Sequence, residues 1–369
     1  MSNTTFRTDD FDYHLPDKLI AQEPMEPRDA CRLLVMNRST GELDHRRFYD
    51  IGQYLRPGDL LVVNETRVLP ARLKGKRVDT GGAVEVLLLK ELDKESSTWE
   101  CLVKPGKRVR EGAVLGFSES ESEFPLLTAK VVAVGEEGLR TIAFTANIGD
   151  FHDAIHKLGE LPLPPYIKHY SGEQDMYQTV YAASEEHSAA APTAGLHFTP
   201  ELLDQLKANG INVAKIRLDV GLDTFRPVTE DDPTKHHIHT EYFHVPQETA
   251  DAINRTHKQG GCVVAVGTTV VRALESAAVM SQKEDDTDDS GAGDRISLSE
   301  QGAPTSLYIL PGFDFQVVDA LITNFHVPRS TLVMMVSAFA ERNNILAAYE
   351  AAVQQNYRFL SFGDAMLIL

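Results

Sequence analysis

LITNFHVPRSTLVMMVSAFA, residues 321–340, is the stretch on which the reading of the fold turns. It opens apolar, gathers Thr323, Asn324, His326, Pro328, Arg329 and Ser330 within eight positions, and turns apolar again. The overlapping segment FQVVDALIT is short and β-branched, which predicts a strand. Ser330 stands where an N-cap oxygen accepts from the first free N–H groups of a helix, STLVMMVSAFAER. A strand, a polar turn and a helix make up the repeating unit of an α/β layer structure.

The same unit recurs outward from this stretch. LLVV at 60–63 ends in Asn64, Glu65 and Thr66. Thr199 and Pro200 form an N-cap and N1 pair for the helix ELLDQLKANG, with Gly210 as its stop, and the strand INVAKIRLDV follows. Pro246 opens a helix QETADAINRTHKQ that closes at Gly260 and Gly261. CVVAV at 262–266 is the next strand and leads into a helix TTVVRALES. NILAAYEAAVQQN predicts one more amphipathic helix, before the tail RFLSFGDAMLIL.

Residues 67–150 break this rhythm with short β-rich runs separated by turn signals, the pattern of a small barrel or sandwich. The expected architecture is therefore a layered α/β core domain, made of residues 1–66 and 151–369, with a small β-barrel domain inserted at 67–150. Residues 279–304 include QKEDDTDDSGAGD and predict a mobile acidic surface loop. Its GAGD follows no strand and opens no helix, so it is not read as a nucleotide motif.

The composition, 42% hydrophobic and 24% charged, is that of a soluble globular protein. No apolar run approaches the length of a membrane span. The opening MSNTTFRTDDFDY lacks the basic-then-apolar layout of a secretory signal. Three cysteines without CxxC spacing suit a reducing compartment, so a cytoplasmic protein is expected. The net charge of −18 opposes general affinity for phosphates. That charge is unevenly spread, because residues 67–150 carry 13 Lys+Arg and 13 Asp+Glu. Their bases cluster in KGKR (74–77) and KPGKRVR (104–110), which fits either two solvated turns or a local basic strip.

Polar groups collect at the predicted strand ends. Asn64 to Thr66 follow one strand, Gly221 and Asp223 another, Gly267 to Thr269 a third, and Thr323, Asn324 and His326 a fourth. Ligands of open α/β sheets bind beyond the carboxyl ends of strands, so the four clusters point to one crevice. Ordinary capping explains any one of them alone. Helices starting after Thr268 and Ser330 would aim free N–H groups at an anion there. The small-residue loop SAAAPTAGLHFTPELL (188–203) lets a flat ligand approach the backbone, and its His197 is either a ligand contact or a buried, satisfied histidine. HHIHTEYFH (236–244) lacks HExxH spacing, and its adjacent histidines point to opposite faces, so no metal site is expected. His239 and Glu241 share a strand face, for acid/base work or for a bond to each other.

APTAGLHFT, VGLDTFRPV, HTEYFHVP, VAVGTTVVRALES, PGFDFQVVDALITNFHVPRSTLVMMVSAF and RFLSFGDAMLIL occur in the order seen in the S-adenosylmethionine:tRNA ribosyltransferase-isomerase family. DFDYHLPDKLIAQEP, RDACRLLV and GDLLVVNETRVLPARLKG match as well, so the chain resembles that family almost end to end. The resemblance implies an α/β enzyme with an inserted barrel and no cofactor, S-adenosylmethionine being a co-substrate. It implies transfer and isomerisation of the ribosyl group onto 7-aminomethyl-7-deazaguanine at the tRNA wobble position, giving epoxyqueuosine, adenine and methionine. The implied partner is a tRNA with a GUN-type anticodon, met by a cytoplasmic monomer that has no membrane association. Where the family commonly reads LHVGAGTF, this chain reads LDVGLDTF, so Asp219 replaces a histidine and Asp223 a glycine.

Within that scheme His197, His326 and Asp219 are the acid/base candidates. Thr193, Thr268, Thr269 and Asn324 are expected to orient S-adenosylmethionine. Arg217, Glu241 and Arg272 are expected to hold its charged end or the acceptor amine. Lys74, Lys76, Arg77, Lys104, Lys107 and Arg108 are expected to hold tRNA phosphates. The competing readings are a paralogue with an altered substrate, a non-catalytic tRNA- or nucleotide-binding protein, and a methyltransferase. The missing Gly-rich strand–turn–helix argues against the last.

Overall fold

The computed structural model describes residues 6–119, 124–135, 138–168, 170, 172–221, 227–285 and 297–369. The chain forms two compact units: Met1–Thr66 with Pro164–Ser184 and Ala191–Leu369, and Arg67–Leu163 with Glu185–Ala190.

The first unit is built on a nine-stranded sheet. In chain order its strands are β1 (Arg32–Met36), β2 (Leu43–Arg47), β3 (Leu60–Asn64), β4 (Asn212–Leu218), β5 (Glu241–Val245), β6 (Val263–Val266), β7 (Gln301–Thr305), β8 (Ala320–Asn324) and β9 (Ala365–Ile368). Their order across the sheet is β7-β5-β4-β3-β6-β8-β9-β1-β2. β4, β3, β6 and β8 run parallel, so their carboxyl ends share one edge. Helices α1 (Pro200–Ala208), α2 (Gln247–Lys258), α3 (Thr268–Asp285), α4 (Thr331–Ala340) and α5 (Arg342–Gln354) complete the unit.

The period-2 alternation of the strands explains the layers. Leu61, Val63, Val264, Val266 and Ile322 form one buried cluster with Leu202, Leu203 and Leu206 of α1. The residues between them, Leu60, Val62, Val263, Ala265 and Leu321, are buried as well. That is why these strands read as continuous apolar runs rather than as alternation. Leu206→Ala would cost about 2–5 kcal/mol. The caps match the sequence reading. Thr199 Oγ1 accepts from Leu202 N at 3.1 Å and Ser330 Oγ accepts from Val333 N at 3.3 Å.

Two expectations for this unit need correction. FQVVDALIT is a strand only from Ala320. Before that, the backbone N–H groups of Val317 and Val318 donate to Glu275 Oε1 at 3.1 and 3.0 Å, so a buried carboxylate replaces a neighbouring strand. Residues 279–304 are not a loop throughout, because α3 runs to Asp285 and β7 begins at Gln301. Ser276 Oγ lies 2.6 Å from Thr305 Oγ1, tying that helix to that strand. Composition registers the charges of this segment but not such pairings. Residues 286–296 lie outside the described part.

In the second unit the strands Arg72–Arg77, Ala83–Asp93, Thr98–Lys104, Leu139–Ala146, Leu127–Val134 and Val114–Phe117 pair in that order. The last pairs back onto the first, Lys76 with Gly116 and Arg77 with Leu115, which closes a six-stranded barrel. A Cβ on Gly75 would lie 2.6 Å from the Gly116 carbonyl oxygen and 2.5 Å from Phe117 Cδ1, so closure requires glycine there. The unit continues past residue 150 to Leu163. Helix Phe151–Leu158 packs its first ring against Trp99 (5.7 Å) and Phe144 (5.3 Å), contacts that strand signals do not announce. Among the described residues no helix of either unit is long and apolar enough to cross a membrane.

Candidate functional site

The polar strand ends of the first unit do meet. Asn64, buried at the end of β3, accepts from Leu218 N (3.1 Å) and donates to Leu218 O (2.9 Å), fixing β3 to the end of β4. Gly267 takes φ +98°, and its N–H donates to Ile322 O at 2.8 Å. This left-handed turn swings the chain out of β6 and sets Thr268 and Thr269 in the first turn of α3. After β8, Thr323 Oγ1 lies 2.8 Å from His326 Nε2. The Tyr13 hydroxyl donates to the His326 carbonyl, and His326 N donates to the Tyr349 hydroxyl at 3.3 Å, so two tyrosines bracket this backbone.

A narrow cleft opens here, lined by Thr193, Thr268, Thr269, Asn324, His326 and Ser330. Two helix N-termini, those of α3 and α4, end on it, which suits a carboxylate. Burial pushes His326 down to about 3, so it faces the cleft as a neutral ring. His197 is not a lining residue. It lies behind Asn324, with Nε2 3.1 Å from Asn324 Nδ2 and Nδ1 3.2 Å from Cys31 Sγ. Burial pushes it down to about 3 as well.

Arg272 and Glu241, assigned by sequence to a ligand's charged end, hold each other instead. Arg272 Nη1 donates to Glu241 Oε2 at 2.6 Å in a buried pair. The remaining guanidinium donors go to the carbonyls of Leu307 (3.1 Å), His239 (2.6 Å) and Thr305 (3.1 Å). Glu241 Oε1 accepts from Gly221 N at 2.9 Å. From α3, Arg272 points along the flank of the sheet rather than into the cleft, and it joins α3 to β5 and β7. Arg217 is also off the cleft, 3.6 Å from Asp219 and stacked 5.5 Å from the Tyr242 ring centre. Asp219, at the end of β4, is met by the Thr66 hydroxyl at 3.5 Å. Asp223 lies outside the described residues.

The histidine run 236–244 disperses into separate pairs, His236 with Glu230 at 2.9 Å and His244 with Glu300 at 3.0 Å. In the barrel unit, Lys74 is paired with Glu160 at 2.7 Å, and Arg77 with Asp79. Lys76, Lys104, Lys107 and Arg108 are exposed and pair with no carboxylate among the described residues. Arg140, buried inside the barrel, donates to the carbonyls of Gly106 (2.6 Å) and Val109 (2.9 Å), holding the turn that carries Lys107 and Arg108.

Sequence reasoning missed Tyr13, Tyr166, Leu360 and Ser361. Tyr166 and Ser361 join across the cleft wall at 2.7 Å. The signal for Tyr13 was the DFDYH segment, and for Leu360 and Ser361 the RFLSFGD tail, each polar or aromatic beyond what a core requires.

The profile described as queuosine biosynthesis protein matches residues 8–368. The chain belongs to this family. It is 53% identical over 363 residues to the S-adenosylmethionine:tRNA ribosyltransferase-isomerase of Symbiobacterium thermophilum, an alignment covering 98% of this chain and 100% of the relative. It is also similar to the crystal structure of a S-adenosylmethionine tRNA ribosyltransferase from Thermotoga maritima. That match has a TM-score of 0.53 and 39% identity, and covers 98% of this chain and 100% of the other. The queuosine-family fold of this chain thus combines a sheet containing four parallel strands with a closed six-stranded barrel.

Proposed function

We propose that this chain transfers and isomerises the ribosyl group of S-adenosylmethionine onto 7-aminomethyl-7-deazaguanine at the wobble position of a tRNA. The products are epoxyqueuosine-tRNA, adenine and methionine. The observation that carries this reading is the cleft at the carboxyl edge of four parallel strands. It lies in a chain whose relative, matched along its full length, bears the ribosyltransferase-isomerase name.

The chemistry fits the groups present. The sulfonium withdraws electron density from C5′, so a positioned base can remove a hydrogen there. The methionine carboxylate suits the free N–H groups opening α3 or α4. Thr193 and Asn324 supply hydrogen bonds to the polar parts of the donor. Neutral His326 serves as a hydrogen-bonding group at the reacting centre rather than as a charge. His197 has its Nε2 lone pair engaged by Asn324, and Asp219, next in the chain to the cleft-lining Val220, is the candidate proton acceptor. S-adenosylmethionine is a co-substrate, and no further cofactor is assigned.

The acceptor is a tRNA with a GUN-type anticodon, whose single-stranded loop allows the modified base to be splayed out. Lys76, Lys104, Lys107 and Arg108 take its phosphates, and the chain acts as a cytoplasmic monomer. The test is incubation with S-adenosylmethionine and precursor tRNA, followed by mass spectrometry of released small molecules and anticodon nucleosides. Adenine with methionine is expected. S-adenosylhomocysteine would indicate methyl transfer and overturn the reading.

A further inference from the structure

Asn324 lines the cleft, but its carboxamide is oriented from behind. Nδ2 donates to the Leu360 carbonyl at 3.2 Å and lies 3.1 Å from His197 Nε2. Oδ1 accepts from Thr193 Oγ1 at 2.9 Å. A carbonyl oxygen only accepts, so Leu360 decides which end of the amide faces it. Turning Asn324 over would set two acceptors against each other. Leu360 itself stands at φ +69°, a conformation that a leucine holds only when its surroundings impose it.

The consequence passes to His197. With an N–H of Asn324 directed at it, Nε2 accepts, so the ring proton resides on Nδ1, 3.2 Å from Cys31 Sγ. The Cys31 thiol is kept protonated by burial and serves as an acceptor. Phe48 packs on the imidazole with ring centres 5.2 Å apart, and His197 itself is buried.

We propose that His197 is a positioning residue. Locked as the Nδ1–H tautomer between Cys31 and Asn324, it joins the Leu360 carbonyl in taking the two amide N–H groups of Asn324, so that Oδ1, with its lone pair not taken by Thr193, is the atom offered to the cleft. The ligand atom that meets Asn324 is therefore a hydrogen-bond donor, an ammonium, an exocyclic amine or a hydroxyl. Taking that ligand to be S-adenosylmethionine rests on the functional reading above. The tautomer does not.

The decisive experiment is a long-range 1H–15N correlation on the labelled full chain, with His197 assigned by its absence in His197→Gln. At pH 7, Nδ1 should carry the proton and Nε2 should show the shift of an accepting nitrogen. An Nε2–H tautomer or an imidazolium would overturn the proposal. In Asn324→Asp the facing group can only accept, so the proton should move to Nε2. An unchanged tautomer there would break the link between the two residues. In the ribosylation assay, His197→Leu should raise KM for S-adenosylmethionine by about 5- to 30-fold with a smaller change in kcat. His197→Gln, whose Oε1 can accept, should recover most of that loss. Equal losses of kcat in both variants would signify structural damage and count against positioning. If the wild type yields no ribosylated product, the functional reading fails while the tautomer result still decides this proposal.

Discussion

The cleft of the α/β unit and the cationic surface of the barrel are polar in opposite ways. In the cleft wall the polar groups are buried or half-buried and spend their hydrogen bonds on one another, as in the chain Cys31–His197–Asn324–Thr193. On the barrel, Lys76, Lys104, Lys107 and Arg108 are exposed and lack carboxylate partners among the described residues. A buried network stores geometry, because leaving any member unpaired is costly. An exposed cluster stores charge, which acts over a Debye length and is weakened by salt. The first suits a small molecule that must be held still, and the second a polyanion that need only be captured.

The largest contrast should appear when one partner of an ion pair is removed from each region. Glu241→Ala leaves the Arg272 guanidinium buried without its carboxylate and should destabilise the fold by about 3–5 kcal/mol, read as a fall in Tm. Glu160→Ala, which unpairs the exposed Lys74, should cost about 0–1 kcal/mol. Comparable losses would show that burial does not separate the two regions.

His326→Ala should lower kcat by about 10²-fold, the usual result of deleting a hydrogen-bonding group at a reacting centre, with little change in affinity for tRNA. A wild-type kcat would remove His326 from the chemistry.

Acid offers a third test. His197 and His326 have folded values near 3, below the ordinary 6.5. Above about 6.5 both the folded and unfolded states keep them neutral, and the full stability is present. Below it the unfolded chain takes up protons first. Stability should then fall by about 1.4 kcal/mol per pH unit for each histidine until the folded values are reached. Thermal melts from pH 7 to 5 check this, and a flat Tm would contradict it.

The smallest effects belong to the barrel. Replacing Lys104, Lys107 and Arg108 with alanine should leave kcat intact, weaken tRNA binding and reduce the salt slope by about 1 per lost phosphate contact. An unchanged slope would move the tRNA surface elsewhere.

The parts of the fold that were legible in sequence rest on local physics. Short apolar, β-branched runs announced β3 and β6, a capping Ser330 announced α4, and the convergence of polar clusters followed from strands running parallel. What sequence did not show depends on pairings between distant residues. Glu275 stands in for a strand at Val317 and Val318. Arg272 faces β5 instead of the cleft because its guanidinium is claimed by Glu241 and three carbonyls. His197 was a candidate by type, yet Asn324 and Cys31 engage both its nitrogens. Leu360 gave no sign of its left-handed backbone, since leucine does not favour it.

Titrating S-adenosylmethionine calorimetrically into three forms of the chain, without tRNA, tests the division of labour most directly. The forms are the wild type, Asn324→Ala and the triple-alanine barrel variant. Equal affinity is expected in the wild type and the barrel variant, and a loss of about 5- to 30-fold in Asn324→Ala, which removes the accepting oxygen. Affinity that falls in the barrel variant and survives in Asn324→Ala would contradict the assignment of the cleft.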